Sequence, residues 1–189
     1  MKYFRPSSVT AFVIALITMA SACTNNPEER RTPGDLIDDN ALEFVIAKEI
    51  RASDEGYEGA HLVVTVYDGL VLLLGEVAST MLQEKATEVA ESLYKVDPDK
   101  VYNYITVQGP ISRLARTNDR YLSAKVKSRL LVASGVPAGK VKVVTENGVV
   151  YLMGKITRAD GELVVAEVQK SFGVQKIVKV CDYLTDPRS

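Results

Sequence analysis

The segment LVVTVYDGLVLLLGEV, residues 62–77, recurs 79 residues later as VKVVTENGVVYLMGKI, residues 141–156. The two copies align without a gap, so that a DG dipeptide falls on an NG dipeptide and a later glycine falls on a glycine. One small structural unit has therefore been used twice in this chain of 189 residues. The fold of one copy predicts the fold of the other.

Each copy is predicted to form a β-hairpin. Apolar and β-branched residues lie on both sides of Asp68-Gly69 in the first copy and of Asn147-Gly148 in the second. These residue types accept the positive φ that both central positions of a two-residue type I′ turn require. We therefore assign turn roles to Asp68, Gly69, Asn147 and Gly148.

Gly75 and Gly154 lie well inside the second strand of each predicted hairpin. A glycine weakens a strand unless a bulge or a close backbone approach requires the missing side chain. We therefore assign both glycines a structural role at a bulge or close approach, in preference to a ligand contact.

Helices are predicted on both sides of each hairpin, because apolar residues recur there at helical spacing. These residues are Leu42, Val45, Ile46, Ile50 and then Leu82, Ala86, Val89, Ala90, Leu93 in the first copy, and Leu122, Val126, Leu130, Ala133 and then Val164, Val168, Phe172 in the second. A last strand is predicted at 101–107 and at 176–183. The order helix, strand, strand, helix, strand predicts an α+β fold. Each unit of about 70 residues has a marginal core, so packing of the two copies would stabilise both.

This repeat resembles the BON domain of bacterial envelope proteins. The resemblance covers residues 38–185 and rests on the hairpin dipeptides, on Gly75 and Gly154, and on the stretch TNDRYLSAKVKSRLLVASGV at 117–136, which is similar to the dual-BON outer-membrane lipoproteins. It implies two tandem αββαβ BON domains, each a three-stranded mixed sheet with two helices packed on one face. We expect the first domain at 38–108, a linker at 109–117 and the second domain at 118–185.

The beginning of the chain has the pattern of a lipoprotein signal peptide. Lys2 and Arg5 precede an uncharged apolar run that ends in Ala-Ser-Ala-Cys at Cys23. Small residues suit a signal peptidase, and the cysteine thiol is the acceptor for a diacylglycerol. We expect a signal peptide at 1–22, followed by palmitate-containing lipidation of Cys23. The alternative is an uncleaved inner-membrane anchor, although 14 apolar or small residues are few where about 20 are needed.

Residues 23–37 are expected to be a lipidated tether, since two prolines and a glycine interrupt a polar stretch there. The 13 residues after the cysteine would span about 45 Å when fully extended and about 20 Å as a random coil. Thr24 replaces the aspartate that, by resemblance to lipoprotein sorting, retains proteins in the inner membrane. We therefore expect the chain to be anchored in the outer membrane, on its periplasmic face.

The formal net charge of −1 conceals two halves of opposite sign. Residues 35–115 carry 6 basic and 15 acidic residues, whereas residues 116–189 carry 13 basic and 7 acidic residues. The acidic half coincides with the first predicted domain and the basic half with the second. An anionic lipid surface would therefore repel the first domain and attract the second.

The first helix of the second domain carries the candidate membrane contact. On a helical wheel its core-facing residues occupy one arc, while basic residues and two apolar residues occupy the remaining surface. The candidate phospholipid-binding residues are Arg120, Tyr121, Lys125, Lys127, Arg129 and Leu131. Basic groups would contact lipid phosphates while the tyrosine and the leucine enter the headgroup region. The alternative is that Tyr121 and Leu131 pack against the first domain or the linker.

The sequence gives little support to an enzyme, a cofactor or a metal centre. His61 is the only histidine, and its position beside acidic residues favours a solvated or hydrogen-bonded role. No cysteine and histidine spacing suits zinc, no phosphate-binding loop occurs, and the acidic cluster lacks the ligand spacing of a calcium loop. We expect no catalytic residue, no cofactor and no metal, and an exported protein would rarely meet nucleic acid.

Cys181 is expected to be a small packed thiol, because lipidation of Cys23 leaves it no partner within the chain.

Two functions remain open at this point. The first is a non-enzymatic, monomeric lipoprotein that binds anionic phospholipid, with phosphatidylglycerol or cardiolipin as the expected headgroups. Resemblance to the dual-BON lipoproteins implies a role in outer-membrane integrity and in envelope remodelling at the division site. The second is a periplasmic adaptor that docks an envelope assembly complex or a peptidoglycan-remodelling partner.

Overall fold

The computed structural model describes residues 31–109 and 113–185, with side chains of the second stretch from residue 117 onward. The predictions for the signal peptide, for Cys23 and for most of the tether lie outside the described residues. The first repeat consists of α1 (Pro33–Ser53), β1 (His61–Tyr67), β2 (Leu70–Val77), α2 (Thr80–Glu91), β3 (Val101–Asn103) and β4 (Thr106–Val107). The second repeat consists of α3 (Arg113–Val132), β5 (Val141–Glu146), β6 (Val149–Thr157), α4 (Arg158–Gln169) and β7 (Lys176–Leu184).

Both repeats have the predicted αββαβ order and the same mixed sheet. In the first, β2 pairs antiparallel with β1 and parallel with β3 and β4. In the second, β6 pairs antiparallel with β5 and parallel with β7. The two helices of each repeat pack on one face of its sheet and form a hydrophobic core there. The predicted fold class is confirmed.

The last strand of the first repeat differs from the predicted continuous strand at 101–107. It is interrupted between β3 and β4, where Ile105 turns its side chain into the core. The amide of Ile105 donates to Asn103 Oδ1 (2.9 Å), and the carbonyl of Ile105 accepts from Gln83 on α2. These side-chain hydrogen bonds replace the strand pairing at this position.

Two residues predicted to face a core do not do so. Val45 on α1 is exposed, and Phe172 is 90% exposed because α4 ends at Gln169 instead of continuing through it. The backbone turns at Gly173, where φ is +102°, a conformation that favours glycine over other residues. The helical spacing of Phe172 therefore predicted the wrong environment.

The hairpin turns have the backbone geometry that a type I′ turn requires. Both central residues of each turn have positive φ, from +52° at Asn147 to +78° at Gly69. In the second copy, the amides of Asn147 and Gly148 donate to the carboxylate of Asp119 on α3, at 2.9 and 2.8 Å. This side chain fixes the turn of the second hairpin against the first helix of its own repeat.

Gly75 and Gly154 both lie where the backbone of a neighbouring segment approaches closely, at β1 for Gly75 and just before β5 for Gly154. A Cβ at Gly75 would lie 1.8 Å from the carbonyl oxygen of His61, and φ there is +122°. A Cβ at Gly154 would lie 2.7 Å from the carbonyl oxygen of Lys140. The missing side chain therefore allows a close contact that any other residue would obstruct.

The two repeats are joined by the sheet faces that carry no helices. Residues that alternate with the helix-facing ones along the strands form a third hydrophobic cluster, which contains Tyr67, Leu70, Leu72, Leu74, Tyr151, Met153 and Val180. Every residue of β2 is consequently buried. Two marginal cores thus share a common apolar layer between the sheets.

Candidate functional site

The outer face of α3 is an exposed apolar surface. Tyr121, Leu131 and Val132 are 68%, 74% and 84% exposed, while Leu122, Val126 and Leu130 on the opposite side are buried in the core of the second domain. Spacings of about 100° per residue place the exposed residues on the side away from the sheet. Tyr121 and Leu131 therefore do not pack against the described residues of the first domain. The other part of the alternative, packing against the linker, concerns residues 110–116, which lie outside the described side chains.

Two of the predicted basic residues border this surface on one side. Arg120 and Lys127 are exposed, and within the described part of the chain neither takes part in an ion pair. Lys127 precedes Leu131 by four residues, and Arg120 precedes Lys127 by seven, so both basic residues lie on the side of the helix next to Leu131. They remain available to an anion.

Lys125 borders the surface on the other side and makes contacts of its own. Its Nζ donates to the carbonyl oxygen of Phe172 at 3.1 Å and lies 5.6 Å from the centre of the Phe172 ring. Phe172 thereby extends the apolar surface beyond α3. We name the surface formed by Tyr121, Leu131, Val132 and Phe172, together with Arg120, Lys125 and Lys127, the outer patch.

Arg129 does not belong to the outer patch. Its Nε donates to Glu167 Oε1 on α4 at 2.8 Å, and Lys170 Nζ lies 2.6 Å from Glu167 Oε2. The hydrogen bond from Lys170 lowers the pKa of Glu167, and Arg129 adds to that effect. Arg129 therefore connects α3 to α4, and its predicted role in phospholipid binding stays a prediction.

Part of the basic charge of the second domain is used at the contact between the domains. Lys142 Nζ lies 2.6 Å from Glu43 Oε1 on α1 and donates to the carbonyl oxygen of Val66 at 3.1 Å. Lys100 and Asp182 form a second ion pair across the contact, at 3.1 Å. Only the Lys142–Glu43 pair follows the opposite net charges of the two halves, since Lys100 belongs to the acidic domain and Asp182 to the basic one.

Three titratable side chains meet at one edge of the same contact. His61 and Glu76 are neighbours across β1 and β2, and Glu146 is the last residue of β5. His61 Nε2 lies 3.2 Å from Glu146 Oε1, and Asn147 Nδ2 donates to Glu76 Oε1 at 3.1 Å. Burial raises the pKa of Glu146, the neighbouring His61 opposes that increase, and Glu76 adds to it. The hydrogen bond of His61 Nε2 is made with the other carboxylate oxygen, Glu146 Oε2, at 3.4 Å.

Cys181 lies half-buried on β7. Its Sγ donates to the carbonyl oxygen of Leu152 at 3.5 Å, and burial raises the pKa of the thiol to about 11. A thiol with so high a pKa is a poor nucleophile at neutral pH. The packing of this residue is that of a small structural side chain.

The first helix of the first domain also carries exposed apolar residues. Ile37 and Phe44 on α1 are seven residues apart, so they share one side of the helix, and both are exposed. Acidic residues surround them on the same helix. This side of α1 differs from the outer patch in the sign of the charges beside it.

Among the helices that the structure describes, none is both long enough and apolar enough to cross a membrane.

Comparison with known proteins agrees with the fold. The model of the BON domain family matches residues 38–109 and 118–183. The chain therefore belongs to the BON family and contains two tandem BON domains.

The chain is also similar to named relatives. It is 33% identical over 172 residues to the outer membrane lipoprotein DolP of Haemophilus influenzae, a match that covers 91% of this chain and 88% of that protein. It is 32% identical over 158 residues to the 21 kDa hemolysin of Actinobacillus pleuropneumoniae, covering 84% and 80% of the two chains. The predicted resemblance to dual-BON outer-membrane lipoproteins is confirmed. The protein is an outer-membrane lipoprotein of this type.

Sequence reasoning missed three features of these sites. Val132 and Phe172 of the outer patch were not predicted, although the apolar pair Leu131-Val132 at the end of a basic helix was a usable signal. The contact between the side chains of His61 and Glu146 was also not predicted, since these residues are 85 positions apart in the sequence. Only the packing of one domain on the other brings them together.

Proposed function

We propose that this lipoprotein binds anionic phospholipid through the outer patch of its second BON domain. The supporting observation is that exposed aromatic and aliphatic side chains on α3 and at Phe172 are bordered by Arg120, Lys125 and Lys127. Aromatic residues favour the headgroup region, and basic side chains favour lipid phosphates. Phosphatidylglycerol and cardiolipin are the proposed ligands, because each carries the required negative charge.

The expected affinity of the free domain is modest. A basic residue near an anionic leaflet contributes about 1 kcal/mol, and the outer patch contains three. A lipid anchor at Cys23 would make the contact intramolecular, at an effective concentration on the order of millimolar. Weak recognition would then suffice to orient the protein on the periplasmic face and to concentrate it where anionic lipid is abundant. In this way a non-enzymatic protein would support outer-membrane integrity and remodelling at the division site.

Vesicle flotation tests the proposal. The fragment Pro33–Ser189 contains both hydrophobic cores and lacks the proposed anchor. It should float with vesicles that contain phosphatidylglycerol or cardiolipin and remain behind with vesicles of phosphatidylcholine alone. Binding should weaken as salt increases, since the Debye length falls from about 8 Å at 0.15 M to about 3 Å at 1 M. Equal flotation with both kinds of vesicle would contradict the proposed recognition of charge.

A second function, docking of an envelope protein, is favoured by the exposed side of α1. Ile37 and Phe44 form an apolar surface within an acidic domain, and such surfaces commonly mark protein contacts. Under this alternative the partner would present an apolar groove with basic edges. Phe44→Glu would abolish capture of the partner in envelope extracts, while the outer patch and vesicle binding would be unaffected.

A further inference from the structure

We propose that His61, Glu76 and Glu146 form a binding site for one divalent transition-metal ion, with Zn²⁺ as the best-suited ion. One ligand atom from each residue lies within 4.8 Å of the other two. Two of the ligands come from the first domain and one comes from the second. The ion would therefore connect the two BON domains, which is a property separate from the proposed binding of lipid.

The separation of the three side chains suits a small ion after a slight contraction. Zn²⁺ binds histidine nitrogen and carboxylate oxygen at about 2.0–2.2 Å, in tetrahedral geometry. His61 Nε2 and Glu146 Oε1 are already 3.2 Å apart, and two ligands of one tetrahedral ion are separated by about the same distance. Three protein ligands would leave the fourth position for water.

Glu76 supplies independent support, because one of its oxygens is buried without a hydrogen-bond partner. Its side chain is 2% exposed, and Oε2 has no partner within the described residues. Oε1 accepts from Asn147 Nδ2, so the carboxylate is held in one orientation, as second-shell hydrogen bonds do for metal ligands. A buried carboxylate beside a second carboxylate is unfavourable unless a cation or a proton neutralises it. A metal ion would satisfy both carboxylates at once.

The chemistry of the ligands favours a transition metal over Mg²⁺ or Ca²⁺. Imidazole nitrogen suits Zn²⁺ and its neighbours in the first transition row, whereas Mg²⁺ and Ca²⁺ prefer oxygen ligands alone. Access is available, since the His61 side chain is 21% exposed. His61 and Glu146 also line a groove whose other wall is formed by Arg120, Ser123 and Lys127 of α3.

Isothermal titration of the full-length chain in detergent, without a polyhistidine tag and after removal of metals with EDTA, tests the proposal. Zn²⁺ should bind with a stoichiometry of one per chain, and excess Mg²⁺ should not compete. Because His61 is the only histidine in the chain, a single imidazole resonance should shift in the NMR spectrum on addition of Zn²⁺. Zn²⁺ should also raise the melting temperature.

Substitutions identify the ligands. His61→Ala and Glu76→Gln should each weaken Zn²⁺ binding by at least about tenfold, since loss of even an outer-shell partner costs about 10–100-fold. Glu49→Gln, which removes an exposed carboxylate of the acidic domain, is the control and should leave the affinity unchanged. Circular dichroism in EDTA confirms that each variant is folded. Absence of Zn²⁺ binding by the wild-type chain, or unchanged binding by folded His61→Ala, would overturn the proposal.

Discussion

At the scale of single residues, Gly75 shows the closest backbone approach among the glycines that the structure describes. A side chain there would overlap the carbonyl oxygen of His61 on the neighbouring strand. His61, whose carbonyl oxygen lies against Gly75, also contacts Glu146 of the second domain through its side chain. A change at one glycine thus affects both the hairpin and the contact between domains.

Gly75→Ala should lower the free energy of unfolding by about 3 kcal/mol or more, because it combines a steric clash with a positive φ. Gly139→Ala is the matched control, since a Cβ there meets nothing within 4 Å, and its effect should be below about 1 kcal/mol. Urea denaturation of the two variants measures the difference. Similar stabilities for both variants would show that β2 can shift to accommodate the methyl group.

A second residue-scale prediction concerns Cys181, the only cysteine of the fragment Pro33–Ser189. With a thiol pKa of about 11, the native protein contains far less thiolate at pH 8 than an unperturbed thiol with a pKa of about 8.5. Reaction with Ellman's reagent should therefore be at least about tenfold slower in the folded fragment than in urea, because the smaller thiolate fraction outweighs the greater nucleophilicity of a high-pKa thiolate. Rates within about tenfold of each other would indicate a reactive thiol.

At the scale of elements, α3 shows which features of the molecule could be predicted from sequence. The helical spacing of its apolar residues predicted Leu122, Val126 and Leu130 in the core and Tyr121 on the outside. This works because each residue of a helix is rotated about the axis by a fixed angle from the one before it. Phe172 could not be placed in this way, since its environment depends on where α4 ends. The last turn of a helix is set by local hydrogen bonds and by residues beyond it, which the periodic pattern does not contain.

The outer patch predicts that Leu131→Glu and Tyr121→Ala each weaken binding to anionic vesicles, by roughly tenfold, because each loses about 1–2 kcal/mol of apolar burial in the headgroup region. Phe44→Glu on α1 is the matched control, since it places the same charge on an exposed apolar position of the corresponding helix. It should leave vesicle binding unchanged.

Thermal unfolding separates surface effects from effects on the core in this series. The outer-patch variants should melt near the wild-type temperature, because Tyr121 and Leu131 are exposed. A Tyr121→Ala variant with a much lower melting temperature and unchanged vesicle binding would assign Tyr121 to packing and would contradict the proposed patch.

At the scale of the whole molecule, the contact between domains determines which charges remain for a membrane. The sequence predicted an acidic and a basic half, and it predicted that packing the two domains together would stabilise their marginal cores. It did not reveal which basic residues are used within the molecule, because the partners of Lys142 and Lys100 lie 99 and 82 residues away. Strands β2 and β6 are apolar on both faces, and that pattern was the available signal of a second buried face.

Lys142 and Lys127 provide the test of this division of charge. Lys142 is paired with Glu43 at the domain contact, so Lys142→Ala should lower the free energy of unfolding by about 1–2 kcal/mol and change vesicle binding little. Lys127 is exposed beside Leu131, so Lys127→Ala should leave stability unchanged and weaken binding to phosphatidylglycerol vesicles by about 1 kcal/mol, which is roughly fivefold. The two lysines carry the same charge in the same domain, and urea denaturation and vesicle flotation measure both effects on both variants. Equal loss of vesicle binding in the two variants would mean that net charge alone attracts the protein, and that the position of a lysine on the outer patch does not matter.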